Sequence, residues 1–235
     1  MITKIGAAAL QQKDNADERP GLGHLATGLG GLGLFGVSAV KAIPLLKNDH
    51  GKLTMQEADQ LRRMMGADGR LKETGRPMPG MGPAYNPMDH TVHANRTGYA
   101  YAHELGHATS RISPRKHRKA RITHALLTAG LNNLAPMLNI GTTAGSRVSD
   151  NETAQKVLGA VDTATQAATA VNLAEEAQAS IRALRAIHKL KGRAAALQAA
   201  RILGPAFGTY LGTAGVAHGL VPWLTDKTVD LAAGR

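Results

Sequence analysis

The chain has 235 residues, a formal net charge of +11, 3% aromatic residues and a mean hydropathy of −0.18. That length suffices for one domain with a real core, and the absence of cysteine excludes disulfides, thiol catalysis and cysteine-ligated zinc. So few aromatic side chains argue against a base-stacking nucleic-acid surface, and positive charge spread along the chain favours anionic partners such as lipid head groups.

Residues 1–20 are mixed polar, end at Pro20 and read as a leader; Met1 to Leu10 is too short for a cleavable signal peptide. Residues 21–46 form the first long apolar stretch, with no charge between Arg19 and Lys41. Its glycines weaken a helix in water but suit helices packed closely in a bilayer, and its length just allows a span. The stretch reads as a transmembrane helix, against a buried Gly-rich helix or hairpin. Residues 47–235 are taken as one helical domain. Within it Thr54 to Met65 reads as a short helix, with Glu57 at capping-box spacing from Thr54. Gly75 to Pro87 reads as a loop. The segment from Tyr85 to Ala94 reads as a turn and a short edge strand able to bind an extended peptide, with Val92 and His93 as substrate-binding residues. His90 and His93 are also weighed as metal ligands, and a solvated or substrate-contacting role is preferred for both.

Ala102 to Ala108 then carries His103-Glu104-Leu105-Gly106-His107. On a helix, positions i and i+4 share a face, so both imidazoles can address one metal ion, and Glu104 beside them can take a proton from water. The basic run from Arg111 to Arg121 reads as a juxtamembrane cluster facing anionic lipid, against a plain solvated loop. Residues 122–145 are again apolar, interrupted by Asn132, Asn133, Pro136 and Asn139. Asn151 to His188 is strongly helical, capped by Ser149 or Asp150 and ended by Gly192. Residues 194–223 form the last apolar helix, with Gly204, Gly208 and Gly212 as a close-packing stripe and Trp223 at its end.

The third ligand follows two grammars. One requires Gly and His three and six residues after the second His; here Ser110 and Ser113 stand there, which excludes it. The other takes a glutamate from a later helix, and Glu175 and Glu176 are the acids in the middle of one.

At this point the chain resembles the small membrane-associated neutral zinc metallopeptidases, gluzincin relatives of the CaaX-prenyl-protease type. Tyr85-Asn86-Pro87 with Thr91-Val92-His93, the stretch His103 to Ala108, and Glu176 to Leu184 carry the resemblance. Gln178 stands where the family has an aspartate. The resemblance implies Glu176 as the third ligand, Zn²⁺ as the cofactor and a peptide or protein as the substrate.

The fold expected is mainly α: a helical zincin-like core, a small edge strand or hairpin before the motif helix, and apolar Gly/Ala-rich helices of membrane-spanning character. The activity expected is a membrane-associated zinc endopeptidase with Glu104 as general base. Its rivals are a catalytically silent helical structural protein that keeps the zinc site, and a metal-dependent amidase. Residues 47–76 hold seven Lys or Arg against three before the first apolar stretch, which places the zinc site on the cytoplasmic side of a span.

Overall fold

The computed structural model describes residues 22–67, 69–79, 82–110, 119, 122, 123, 126 and 131–233. They are mainly helical. In chain order the elements are α1 (Leu22–Lys47), α2 (Met55–Met64), β1 (Lys72–Glu73), β2 (Ala84–Asn86), β3 (Thr91–His93), α3 (Tyr99–Ala108), α4 (Leu131–Val148), α5 (Glu152–Gly215), a π-helical turn (Val216–Leu220) and α6 (Val221–Ala232). The polar leader and nearly all of the basic run 111–121 lie outside the described residues, as does much of 122–130.

Local signals explain the short elements. Thr54 and Glu57 form the full capping box that starts α2. The hairpin from β2 to β3 turns through Asn86, whose Oδ1 accepts from the Met88 amide at 2.9 Å. His90 closes the turn in the left-handed region (φ 59°), held by the Tyr85 hydroxyl 2.7 Å from its Nδ1.

The three strands run in the order β1-β3-β2, β3 parallel to β1 and antiparallel to β2, with Tyr85 opposite Val92. β3 is therefore the central strand, not an edge. A two-residue strand at Lys72–Glu73, unmarked by any alternation in the sequence, occupies the side expected to be free. Val92 is fully buried in the main apolar cluster beside Leu61, Leu105 and Ile187. Among the described residues, the strand edges open to peptide addition are those of β1 and β2.

α5 is two helices joined at Gly192, whose φ of 83° and ψ of −177° interrupt the helix. Ala183 and Ile187 before the break share one core with Ala199, Ile202 and Leu203 after it, so the limbs form an antiparallel hairpin. The first limb is capped by Asn151, not Ser149 or Asp150: its Oδ1 accepts from Thr153 and Ala154 amides at 2.9 and 3.1 Å.

α1 is one helix, and it lies along the second limb of α5 and the π turn. Gly28, Gly31 and Ser38 on α1 meet Gly208, Gly212, Gly215 and Gly219, where any added Cβ would strike the opposing helix. Gly204 has open space around it and is not part of this seam. Among the described residues one helix, α1, is long and apolar enough to cross a membrane, with a mean hydropathy of 1.7 over its best window and 17% of that window buried. Its other faces leave Leu29, Leu32, Val37 and Val40 exposed.

Candidate metal centre

α3 is set in place from its two ends and its middle. At its N-terminus Gly98 offers no side-chain cap. Asp49 supplies one from fifty residues earlier, accepting from the Tyr99 amide at 2.9 Å and the Ala100 amide at 2.6 Å. Burial pushes the Asp49 carboxyl up, and these two amides partly offset it. At the other end Arg182 of α5 donates to the carbonyl of Thr109 and, at 3.1 Å, to that of Met65. In the middle Gly106 lies directly on Ala179: a Cβ on Gly106 would fall 2.7 Å from the Ala179 Cα and carbonyl oxygen. The glycine thus lets the backbones of α3 and α5 touch.

That contact brings three ligand atoms together. His103 Nε2 and His107 Nε2 are 3.1 Å apart, and Glu176 Oε2 is 3.3 Å from the first and 3.4 Å from the second. Tetrahedral zinc with bonds of about 2.1 Å separates its ligand atoms by roughly 3.4 Å, so the triangle has the size a metal ion requires. Two ring nitrogens this close, each with a lone pair, repel unless a cation or proton lies between them. Glu176 Oε2 is also buried without a hydrogen-bond partner, as a carboxylate oxygen reserved for a metal would be. His103, His107 and Glu176 can hold a metal ion.

The surroundings orient these ligands. Ser180 Oγ, one turn after Glu176, lies 3.2 Å from His103 Nδ1. With Nε2 given to a metal, Nδ1 carries the proton and donates to that hydroxyl. Gln178 accepts from the Ser110 hydroxyl at 2.8 Å and ties the end of α3 to α5. Burial works against a charged His107, but the carboxylates of Glu176, Glu104 and Glu175 outweigh it and raise its pKa to about 9.

Glu104 is 7% exposed. Burial raises its pKa, opposed by His103 and His107, and the Tyr85 backbone amide on β2 donates to it. A carboxylate made more basic beside a metal tripod is a competent proton acceptor.

The remaining expected residues fall elsewhere. His90 and His93 are not part of the tripod: His90 is taken by Tyr85, and His93 Nδ1 is 3.5 Å from Thr74 Oγ1. Tyr99 and Tyr101 donate to Gln198 and Glu73, away from the ligands. Glu175 is half-buried, and its charge is among those that raise the His107 pKa. Tyr210 was not legible in the sequence, because the hairpin at Gly192 alone brings it close enough to Glu176 to sense that carboxylate, while it remains 39% exposed. Asp49 was missed for the same kind of reason, a cap arriving from a distant segment.

No protein-family model, no curated protein and no solved structure matches this chain.

Proposed function

We propose that the chain is a zinc-dependent endopeptidase of the gluzincin type, associated with a membrane through α1. The observation that carries this reading is the convergence of His103, His107 and Glu176 at 3.1–3.4 Å with the buried Glu104 in the same helical turn. The donor set, two imidazoles and one carboxylate with a hydroxyl behind one imidazole, fits Zn²⁺ with a position left for substrate. Bound there, zinc would make water nucleophilic near neutral pH and polarise the scissile carbonyl.

The chain's own groups do the rest. Glu104 accepts the water proton on its carboxylate and delivers it to the leaving amine nitrogen. Tyr210, close to Glu176, supplies a hydroxyl to donate to charge developing on the carbonyl oxygen. The excess of Lys and Arg after α1 supports a site on the cytoplasmic side of such a span. The substrate is a peptide or protein.

Elemental analysis of purified wild type, Glu176→Ala and Glu175→Ala tests the site. One zinc per chain is expected, lost in Glu176→Ala and kept in Glu175→Ala. Glu104→Gln then keeps its zinc and loses peptide hydrolysis. Wild type without zinc under metal-replete conditions refutes the enzyme, whereas zinc without hydrolysis leaves a silent structural protein with an intact site.

A further inference from the structure

The helices around the metal centre share a charge-free band. Leu22 to Val40 of α1 carries no Asp, Glu, Lys or Arg, and its 19 residues measure about 28 Å, close to the roughly 30 Å of a bilayer's hydrocarbon core. The second limb of α5, continued through the π turn into α6, has none from residue 202 to 225. α4 has none before Arg147, and the first limb of α5 has none from 163 to 174.

These stretches are in register. Gly208 meets Ser38, and Gly212 meets Gly31 and Phe35, so α1 runs antiparallel to the second limb. Thr169 Oγ1 is 2.9 Å from His218 Nε2, and Asn139 Nδ2 donates to the Ala217 carbonyl at 2.6 Å, which fixes the first limb and α4 at the same height. At one end of the band stand Lys41, Arg182 and Arg201. At the other Arg147 pairs with Asp226 (2.7 Å) and with Asp230, and Asp162 immediately precedes the charge-free run of the first limb.

Between the two ends Asn139, Thr169 and His218 meet inside the bundle, while Leu32, Val37, Met137, Ile140 and Leu211 face out. A soluble bundle has no reason to exclude charge from four helices over one height and then crowd it at both ends. A bilayer does.

The exceptions inside the band are Glu175 and Glu176. Glu176 faces Tyr210, which lies between Gly208 and Gly212 and hence level with about Gly36. Gly36 is five residues, about 7–8 Å, inside Lys41.

We propose that α1, α4 and both limbs of α5 are embedded in the bilayer and that the metal centre works just inside its boundary, so that the substrate is a peptide segment at the end of a membrane-spanning helix. The substrate class rests on the endopeptidase reading; the embedding does not.

The absence of cysteine makes the test clean. Leu32→Cys, Met137→Cys and Leu211→Cys are reconstituted as full chains in phosphatidylcholine/phosphatidylglycerol vesicles, with Lys156→Cys and Arg201→Cys as controls, and exposed to a water-soluble maleimide before and after vesicle lysis. The first three are expected to react at least tenfold more slowly than the controls and to match them after denaturation. Control-rate labelling of Met137→Cys and Leu211→Cys, with or without protection of Leu32→Cys, overturns the embedding. In parallel, zinc-loaded wild type is given a membrane-spanning peptide in vesicles and the same juxtamembrane sequence free in solution, and at least tenfold faster cleavage of the former is expected. Equal cleavage overturns the substrate class alone. Protection of all three positions with neither peptide cut refutes the endopeptidase and its substrate class together, and leaves the embedding standing.

Discussion

Gly106→Ala changes one hydrogen for a methyl group and should open the metal site. The new Cβ falls 2.7 Å from the Cα and the carbonyl oxygen of Ala179 and 3.0 Å from its carbonyl carbon. Non-bonded carbons settle at about 3.5–4.0 Å, so α3 must retreat from α5 by roughly 1 Å. Both neighbours are backbone, and no rotamer change relieves the clash. His103 and His107 ride on α3 and Glu176 on α5, so their separations of 3.3 and 3.4 Å open past 4 Å unless the helix also turns. A tetrahedral ion spans about 3.4 Å between ligand atoms and cannot bridge that. Overpacking of this kind costs about 1–3 kcal/mol, and at 1.4 kcal/mol per factor of ten a loss of that size lowers zinc affinity about five- to hundred-fold. Competition with a chromophoric chelator measures it, with Gly159→Ala, which meets nothing within 4 Å on the same helix as Glu176, as the control. Wild-type zinc affinity in Gly106→Ala would refute the idea that helix contact sets the ligand geometry.

Asp49→Ala removes both hydrogen bonds that cap α3 and should cost about 1–2 kcal/mol, seen as a melting temperature lower by several degrees; an unchanged melting temperature would deny the cap its role. Tyr210→Phe should keep one zinc per chain and lower kcat at least tenfold with KM little changed, and an unaltered kcat would remove the hydroxyl from the mechanism. Metal-free His107 holds its proton up to about pH 9, so zinc must displace that proton. Apparent zinc affinity should rise about tenfold per pH unit up to near pH 9 and then level off, and a flat profile between pH 6 and 8 would contradict the raised His107. The sign for folding is opposite. A raised imidazole pKa stabilises the metal-free fold fully below about 6.5, and that contribution fades as pH climbs through 9, so denaturant midpoints of the metal-free protein should fall over that interval.

The local elements were legible where neighbours in sequence determine them. The capping box at Thr54 and Glu57, the i, i+4 histidines of α3, the break at Gly192 and the long apolar α1 each depend on spacing within a few residues. Position along the chain left Glu175 and Glu176 as equals; the resemblance pointed to Glu176, and Glu176 Oε2 is the atom that meets both imidazoles.

What the sequence could not carry was decided by contacts between distant segments. β3 looked like an edge because a two-residue strand such as β1 has no period to detect, and pairing with it is a long-range event. Asp49 gives no sign of being a cap, since its partners lie fifty residues on. Tyr210 reads as one more residue of an apolar helix until the turn at Gly192 folds the second limb back onto the first and sets its hydroxyl against Glu176. Sequence spacing alone put two candidate ligands on one helical face with a candidate base next to the first. The third ligand, the cap and the hydroxyl had to wait for helices to pack, because their proximity is created by Gly106 lying on Ala179 and by the return of α5 along itself.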